Sequence, residues 1–131
     1  MKEYKLIDLF CGVGGISQGF HWAGFETVIA NEYDISIGNA YKENFPNTNT
    51  IIGDIKELDF NQIMKENSIK PGEIDVIAGG PPCQGFSMAN RKRIEEDKRN
   101  LLFLEFVRAV KEFKPKCFLI ENVMGMTAEK V

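Results

Sequence analysis

Lys5-Leu6-Ile7-Asp8-Leu9-Phe10-Cys11-Gly12-Val13-Gly14-Gly15 is the stretch from which the rest of the chain can be organised. It reads as an apolar strand running into a glycine-rich turn and then into a helix start. Glycines there allow φ values that other residues avoid and let a ligand come close to the backbone. The turn is not the full dinucleotide GxGxxG, because Ser17 stands where the third glycine would be. Taken alone, such a turn is equally a plain connection, so its meaning depends on its neighbours.

Working outward, further strand-like runs occur at 26–31, 50–52, 74–78 and 117–121, after the first at 5–9. Helical patterns lie between them at 16–23, 35–44, 61–66 and 100–112. The last is the clearest, since Leu101, Leu102, Leu104, Phe106, Val107 and Val110 follow helical spacing and Lys114-Pro115 marks its end. This alternation predicts an α/β fold of repeated β-α units around a mostly parallel sheet. Right-handed crossovers favour strand order 3-2-1-4-5, with a switch point between strands 1 and 4. Ligands in such sheets sit at the carboxyl ends of the strands. Three segments fall there: the glycine turn, the loop holding Cys83, and Glu121-Asn122.

At 131 residues the chain is long enough for one domain, spanning 1–131, with a proper core. Its 44% hydrophobic and 27% charged content is ordinary for a globular protein. No apolar run approaches the roughly 20 residues of a membrane span. The start carries no signal-peptide pattern. Three cysteines without metal-ligand spacing argue against both a disulfide framework and a metal site. A reducing, cytoplasmic setting is therefore expected. The net charge of −3 is unlike that of a self-sufficient nucleic-acid binder, and the only basic cluster is Arg91-Lys92-Arg93.

Several residues have the chemistry for a site. Glu32 ends strand 2, where a carboxylate can accept hydrogen bonds from both ribose hydroxyls. Asp54, after strand 3, is placed to hold an adenine amino group. Each is also explained as a helix cap or a solvated loop carboxylate. Together with the glycine turn they describe a nucleoside site. The absence of a P-loop GxxxxGK[ST] argues against a triphosphate and favours a nucleoside without phosphate, such as S-adenosylmethionine. Of the cysteines, Cys117 reads as a core residue and Cys11 as a packing residue of the turn. Cys83 differs: Pro81-Pro82 stiffens its approach and Gly85 clears space behind it, as for a nucleophile. Glu121 is a candidate acid or hydrogen-bond partner beside it. His21 and Trp22 read as packing or surface residues.

These segments resemble the DNA (cytosine-5) methyltransferases. Asp8-Leu9-Phe10-Cys11-Gly12-Val13-Gly14-Gly15 is similar to the family's first motif, Asn31-Glu32-Tyr33-Asp34 to its second and Gly53-Asp54-Ile55 to its third. Gly80-Pro81-Pro82-Cys83-Gln84-Gly85-Phe86-Ser87 is similar to the catalytic fourth and Glu121-Asn122-Val123 to the sixth. Asn100-Leu101-Leu102-Phe103 fits the region between them. The resemblance implies a Rossmann-like S-adenosylmethionine-dependent methyltransferase fold and methylation of cytosine at C5. It implies that Cys83 adds to C6 of the base while Glu121 hydrogen-bonds or protonates N3. Phe10, Gly12, Gly14, Glu32, Asp54 and Gly80 would hold the cofactor, with Tyr33, Ile55 and Leu101 around adenine. Pro82, Gln84, Ser87, Asn122 and Arg91 would face the substrate, a cytosine flipped out of double-stranded DNA. Segment 87–99 would close on the DNA, although its basic residues equally suit a solvated loop.

The resemblance stops short of the family's later Gln-x-Arg motif, its target-recognition domain and its C-terminal cofactor motif. The expectation is an N-terminal catalytic part whose sheet is incomplete at the C-terminal end. A missing C-terminal half or complementing subunit would then dock, with the edge of strand 5 a natural place. Alternatives are a non-catalytic cofactor-binding or interaction subunit, and a tRNA cytosine-5 methyltransferase.

Overall fold

Leu6, Ile7, Asp8 and Leu9 are all buried, which only a strand covered on both faces achieves. In the computed structural model, which describes residues 2–82 and 100–121, they form the middle of a five-stranded sheet. The strands are β1 (Tyr4–Leu9), β2 (Phe25–Glu32), β3 (Asn49–Ile52), β4 (Val76–Gly79) and β5 (Cys117–Ile120). Their order is β3-β2-β1-β4-β5 and every pairing is parallel, as the β-α alternation requires. The helices are α1 (Gly15–Trp22), α2 (Ile35–Asn44), α3 (Phe60–Glu66) and α4 (Asn100–Phe113), with a short 3-10 turn at Ile55–Glu57.

The two faces of the sheet differ in chemistry. Ile7, Leu9, Ile29 and Ile77 pack with Phe60 and Ile63 of α3 and with Phe106 and Phe113 of α4. Each such large apolar side chain contributes about 1.5–3 kcal/mol by leaving water. On the opposite face Leu6, Val76 and Ala78 meet Ile16 and Phe20 of α1, and Ala30 meets Tyr41 of α2. That second face also buries Asp8, Ser17 and Thr27.

Local chemistry sets the ends of the elements. Asp34 caps α2 by accepting from the Ile37 N–H at 2.9 Å, and Asp59 caps α3 by accepting from the Gln62 N–H at 3.0 Å. Lys114 closes α4 in a left-handed conformation (φ 49°) just before Pro115. The strand expected at 74–78 runs instead from Val76 to Gly79. Asp75 is diverted, accepting from the Lys5 N–H at 2.8 Å and pairing with the Lys116 ammonium. Among the described residues β5 pairs only with β4. No helix among them is long and apolar enough to cross a membrane.

Candidate functional site

The turn after β1 is held in an unusual shape. Phe10 has φ 54°, a left-handed conformation that costs a bulky side chain of order 1–3 kcal/mol. Three backbone N–H groups secure it: Cys11 N–H donates to Asn31 O at 3.0 Å, Gly14 N–H to Cys11 O at 3.0 Å, and Gly12 N–H to the side-chain Oε2 of Glu32 at 3.0 Å. From behind, Asn44 donates to Val13 O at 2.9 Å. Gly14 has φ 105°, and a Cβ there would overlap the Phe45 ring. Gly12 and Gly14, expected to touch the cofactor, are thus placed one layer back: Gly12 orients Glu32 and Gly14 admits Phe45. Neither lines the cavity described next.

A cavity of about 520 Å³ opens at the carboxyl ends of β1, β2 and β3. Its size suits a small organic ligand. Phe10, Glu32, Tyr33, Asp54, Ile55 and Gly80 line it, all of them expected from the sequence. Glu32 is half-buried and fixed through both oxygens, since Oε1 accepts from the Asp34 N–H at 3.3 Å. It is therefore not a free loop carboxylate. Asp54 combines two expectations: it borders the cavity and it caps the 3-10 turn by accepting from the Lys56 N–H at 3.0 Å. Tyr33 stands at the rim, 74% exposed.

Leu101 and Leu102 are placed differently. Leu101 is 49% exposed and outside the cavity wall, and Leu102 takes the place expected of it. One residue along a helix rotates a side chain by about 100°, so a one-position slip moves it to another face. Three contributors were not anticipated. Asn31 is buried in the wall and donates to Ile51 O at 2.8 Å and Gly53 O at 3.2 Å, tying the end of β2 to β3. Lys56 also lines the cavity. Arg108 of α4 donates to Leu58 O at 2.9 Å and Ile55 O at 2.8 Å, and lies 4.2 Å from the centre of the Phe60 ring. It braces the segment that carries Asp54 and Ile55.

The chemistry of this lining fits an uncharged or cationic nucleoside. Two carboxylates, an aromatic rim and an apolar floor offer hydrogen-bond acceptors and stacking surface, and the carboxylates outnumber the single Lys56 ammonium, which leaves the lining net negative. S-adenosylmethionine has that character, and Glu32, Asp54, Phe10 and Ile55 are the residues that would hold it.

The other half of the site lies across β4 and β5. Gly80 and Pro82 line the same cavity, and Cys83 follows Pro82 in the chain. Cys83, Gln84, Ser87, Arg91 and Asn122 lie outside the described residues. Glu121 donates its N–H to Gly79 O at 2.9 Å, in register with the end of β4. A Cβ on Gly80 would come within 2.8 Å of Glu121 Oε2, so glycine is what lets this carboxylate sit beside the start of the Cys83 loop. Cys11 is buried, and burial pushes its thiol well above the ordinary range, so it is a packing residue. Cys117 is exposed, contrary to the core role expected, because β5 has one strand neighbour and no cover over that face among the described residues. Trp22 is on the surface. A second cavity, about 590 Å³, lies at the opposite end of β2, between α1 and the α2–β3 connection, away from the motif residues.

Comparison with known proteins follows the same outline. The sequence profile of the C-5 cytosine-specific DNA methylases matches residues 4–131. The Type II methyltransferase M.AquIA of Picosynechococcus is 48% identical over 124 residues, covering 95% of this chain and 50% of that protein. M.NgoPII of Neisseria gonorrhoeae is 47% identical over 126 residues, covering 96% of this chain and 35% of its own length. An E. coli prophage protein, described in its crystal structure as a DNA modification methyltransferase, superposes with a TM-score of 0.81 at 41% identity. That match covers 97% of this chain and 34% of the prophage protein. The chain therefore spans about half of the first relative and about a third of the other two. Motif order, sheet topology and the matched residues agree, and the chain belongs to the C-5 cytosine-specific DNA methylase family.

Proposed function

We propose that the protein methylates cytosine at C5 in double-stranded DNA, as part of a restriction–modification system, with S-adenosylmethionine as the donor. The observation that carries this reading is a nucleoside-sized cavity with Gly80 and Pro82 in its wall, the two residues that deliver the chain to Cys83. Glu32 would accept from the ribose hydroxyls and Asp54 from the adenine amino group, with Phe10, Ile55 and Tyr33 against the rings. S-adenosylmethionine supplies an electrophilic methyl group. The Cys83 thiolate forms a bond to C6 of an extruded cytosine while Glu121 stabilises the added electron density through N3. This makes C5 nucleophilic. Once C5 carries the methyl group, removal of its proton expels Cys83 and restores the ring. Pro82, Gln84, Ser87, Asn122 and Arg91 would face the DNA.

The relatives are two to three times longer than the matched stretch, and β5 exposes Phe118 and Leu119 at the sheet edge. We propose that the remaining segments, on this chain or a second one, dock there and bring the target-reading surface. A cytoplasmic location belongs to the same proposal. The test is tritium transfer from labelled S-adenosylmethionine to DNA by the intact protein. Transfer should fall by at least about a thousandfold in Cys83→Ser, the scale on which losing a covalent nucleophile registers. Wild-type rates in that variant would exclude the covalent mechanism.

A further inference from the structure

Asp8 is fully buried at the end of β1, and its Oδ1 has no hydrogen-bond partner among the described residues. Its Oδ2 lies 2.6 Å from Ser17 Oγ, near the start of α1. Ser17 Oγ in turn lies 2.7 Å from Tyr41 Oη on α2 and 3.2 Å from Thr27 Oγ1 on β2. Residues 8 and 17 flank the glycine turn, so the Asp8–Ser17 bond closes the β1–α1 connection like a clasp. Inside that clasp lies Phe10, held left-handed with its side chain in the cavity wall.

We propose that Asp8 is a positioning residue for cofactor binding: through Ser17 and Tyr41 it fixes the start of α1 against β1 and so sets the shape of the turn that presents Phe10 and orients Glu32. This inference rests on the cofactor assignment above and adds to it a residue that touches no ligand.

The hydrogen-bond chain has two directions. With Asp8 ionised, Ser17 donates to Oδ2, and Oδ1 remains a buried carboxylate oxygen without a partner. With Asp8 protonated on Oδ2, the acid donates to Ser17 and Ser17 donates to Tyr41. Oδ1 is then a neutral carbonyl, whose isolation costs far less. Burial accordingly raises the Asp8 carboxyl to about 7, opposed by the Ser17 hydrogen bond. The groups facing it reinforce this. Glu32 on β2 acts to raise it, Tyr41 on α2 is itself pushed up to about 12, and Cys11 in the turn is a neutral thiol. Its strand neighbours are Ala30 and Ala78. None of these groups is basic. The Asp8–Ser17 bond persists in both forms. The neutral acid makes it without placing a charge in the core, and it is the buried charge, on ionisation, that loosens the packing of α1 against β1.

The experiment measures S-adenosylmethionine affinity of the intact protein at pH 6 and pH 8, for the wild type and for Asp8→Asn. The side-chain amide mimics the neutral acid by donating to Ser17. The cofactor's own titration is common to both proteins and cancels in the comparison. Wild-type affinity should be about tenfold weaker at pH 8 than at pH 6 relative to the variant, the fall in neutral acid across a midpoint near 7. Carboxyl-carbon NMR of the wild type should show Asp8 titrating near neutrality, with the Gly12 and Gly14 amide signals following the same midpoint. That part needs no variant to fold. Equal pH ratios in the two proteins, or amide signals indifferent to Asp8, would overturn the inference. Amides that follow Asp8 in a protein binding no S-adenosylmethionine at either pH would leave the clasp in place and remove the cofactor assignment.

Discussion

A carboxylic acid with no solvent contact gives this fold a stability that depends on pH. Asp8 is held near 7 against an ordinary value of 3.8, so between those values the folded chain keeps a proton the unfolded chain has released. Stability therefore declines as pH rises from about 4 to about 7 and is level above that. The full window is worth on the order of 4 kcal/mol. Asp8→Asn should raise the melting temperature at pH 8, with the gain shrinking toward pH 4; a gain of constant size across that range would contradict the assignment. At the next turn of the chain, Gly14→Ala combines a positive φ with overlap of the Phe45 ring. It should cost about 2 kcal/mol or more in urea denaturation. Gly15→Ala, with nothing within 4 Å of the new methyl and a helical position, should be neutral or stabilising.

Between elements, one cation joins α4 to the wall of the cavity. Arg108 spans two carbonyls of segment 55–58, the Phe60 ring and Glu105, which it contacts at 2.7 Å. A lysine has no planar fork for two carbonyls at once. Arg108→Lys should therefore lower stability by about 1–3 kcal/mol and weaken cofactor binding with it. Unchanged affinity in a destabilised variant would show that the Arg108 brace does not shape the site. The elements themselves were legible because their causes are local: strand 1 is a continuous apolar run, α4 has a helical apolar face, and the glycines mark the turn. The cavity residues Glu32 and Asp54 were legible because strand ends in this topology converge. Arg108, Asn31 and the Asp8–Ser17–Tyr41 chain were not, since each acts on a partner far along the sequence. The resemblance points to Leu101 and the cavity is lined by Leu102, because a matched motif fixes a helix position without fixing which way its face turns. Cys117 looked like core because an apolar strand gives no sign of whether the next layer is present.

For the molecule as a whole, the two halves of the site are unequal in what they need. The cavity is built within the described residues, from the ends of β1, β2 and β3, from Gly80 and Pro82 after β4, and from Leu102 of α4. In the proposed reaction DNA must also be bound and a base extruded, and the net charge of −3 gives these 131 residues little electrostatic attraction for a duplex. The stretch 1–131 alone should transfer negligible methyl to DNA, and its activity should appear on addition of the segments its relatives carry beyond it. Robust transfer by 1–131 without them would remove the docking proposal. With Phe118 at 57% exposure on β5, the edge strand among the described residues, the same stretch should self-associate in gel filtration. Phe118→Lys should reduce that association. Attack by Cys83 on cytosine is tested most directly by covalent trapping on duplex DNA carrying 5-fluorocytosine in randomised sequence, with S-adenosylmethionine and the intact protein. Fluorine at C5 blocks the proton removal that would release the enzyme. The expected result is a denaturation-resistant adduct, mapped by mass spectrometry to Cys83 and absent from Cys83→Ser. An adduct on any other residue, or efficient methylation of ordinary DNA by Cys83→Ser, would contradict it.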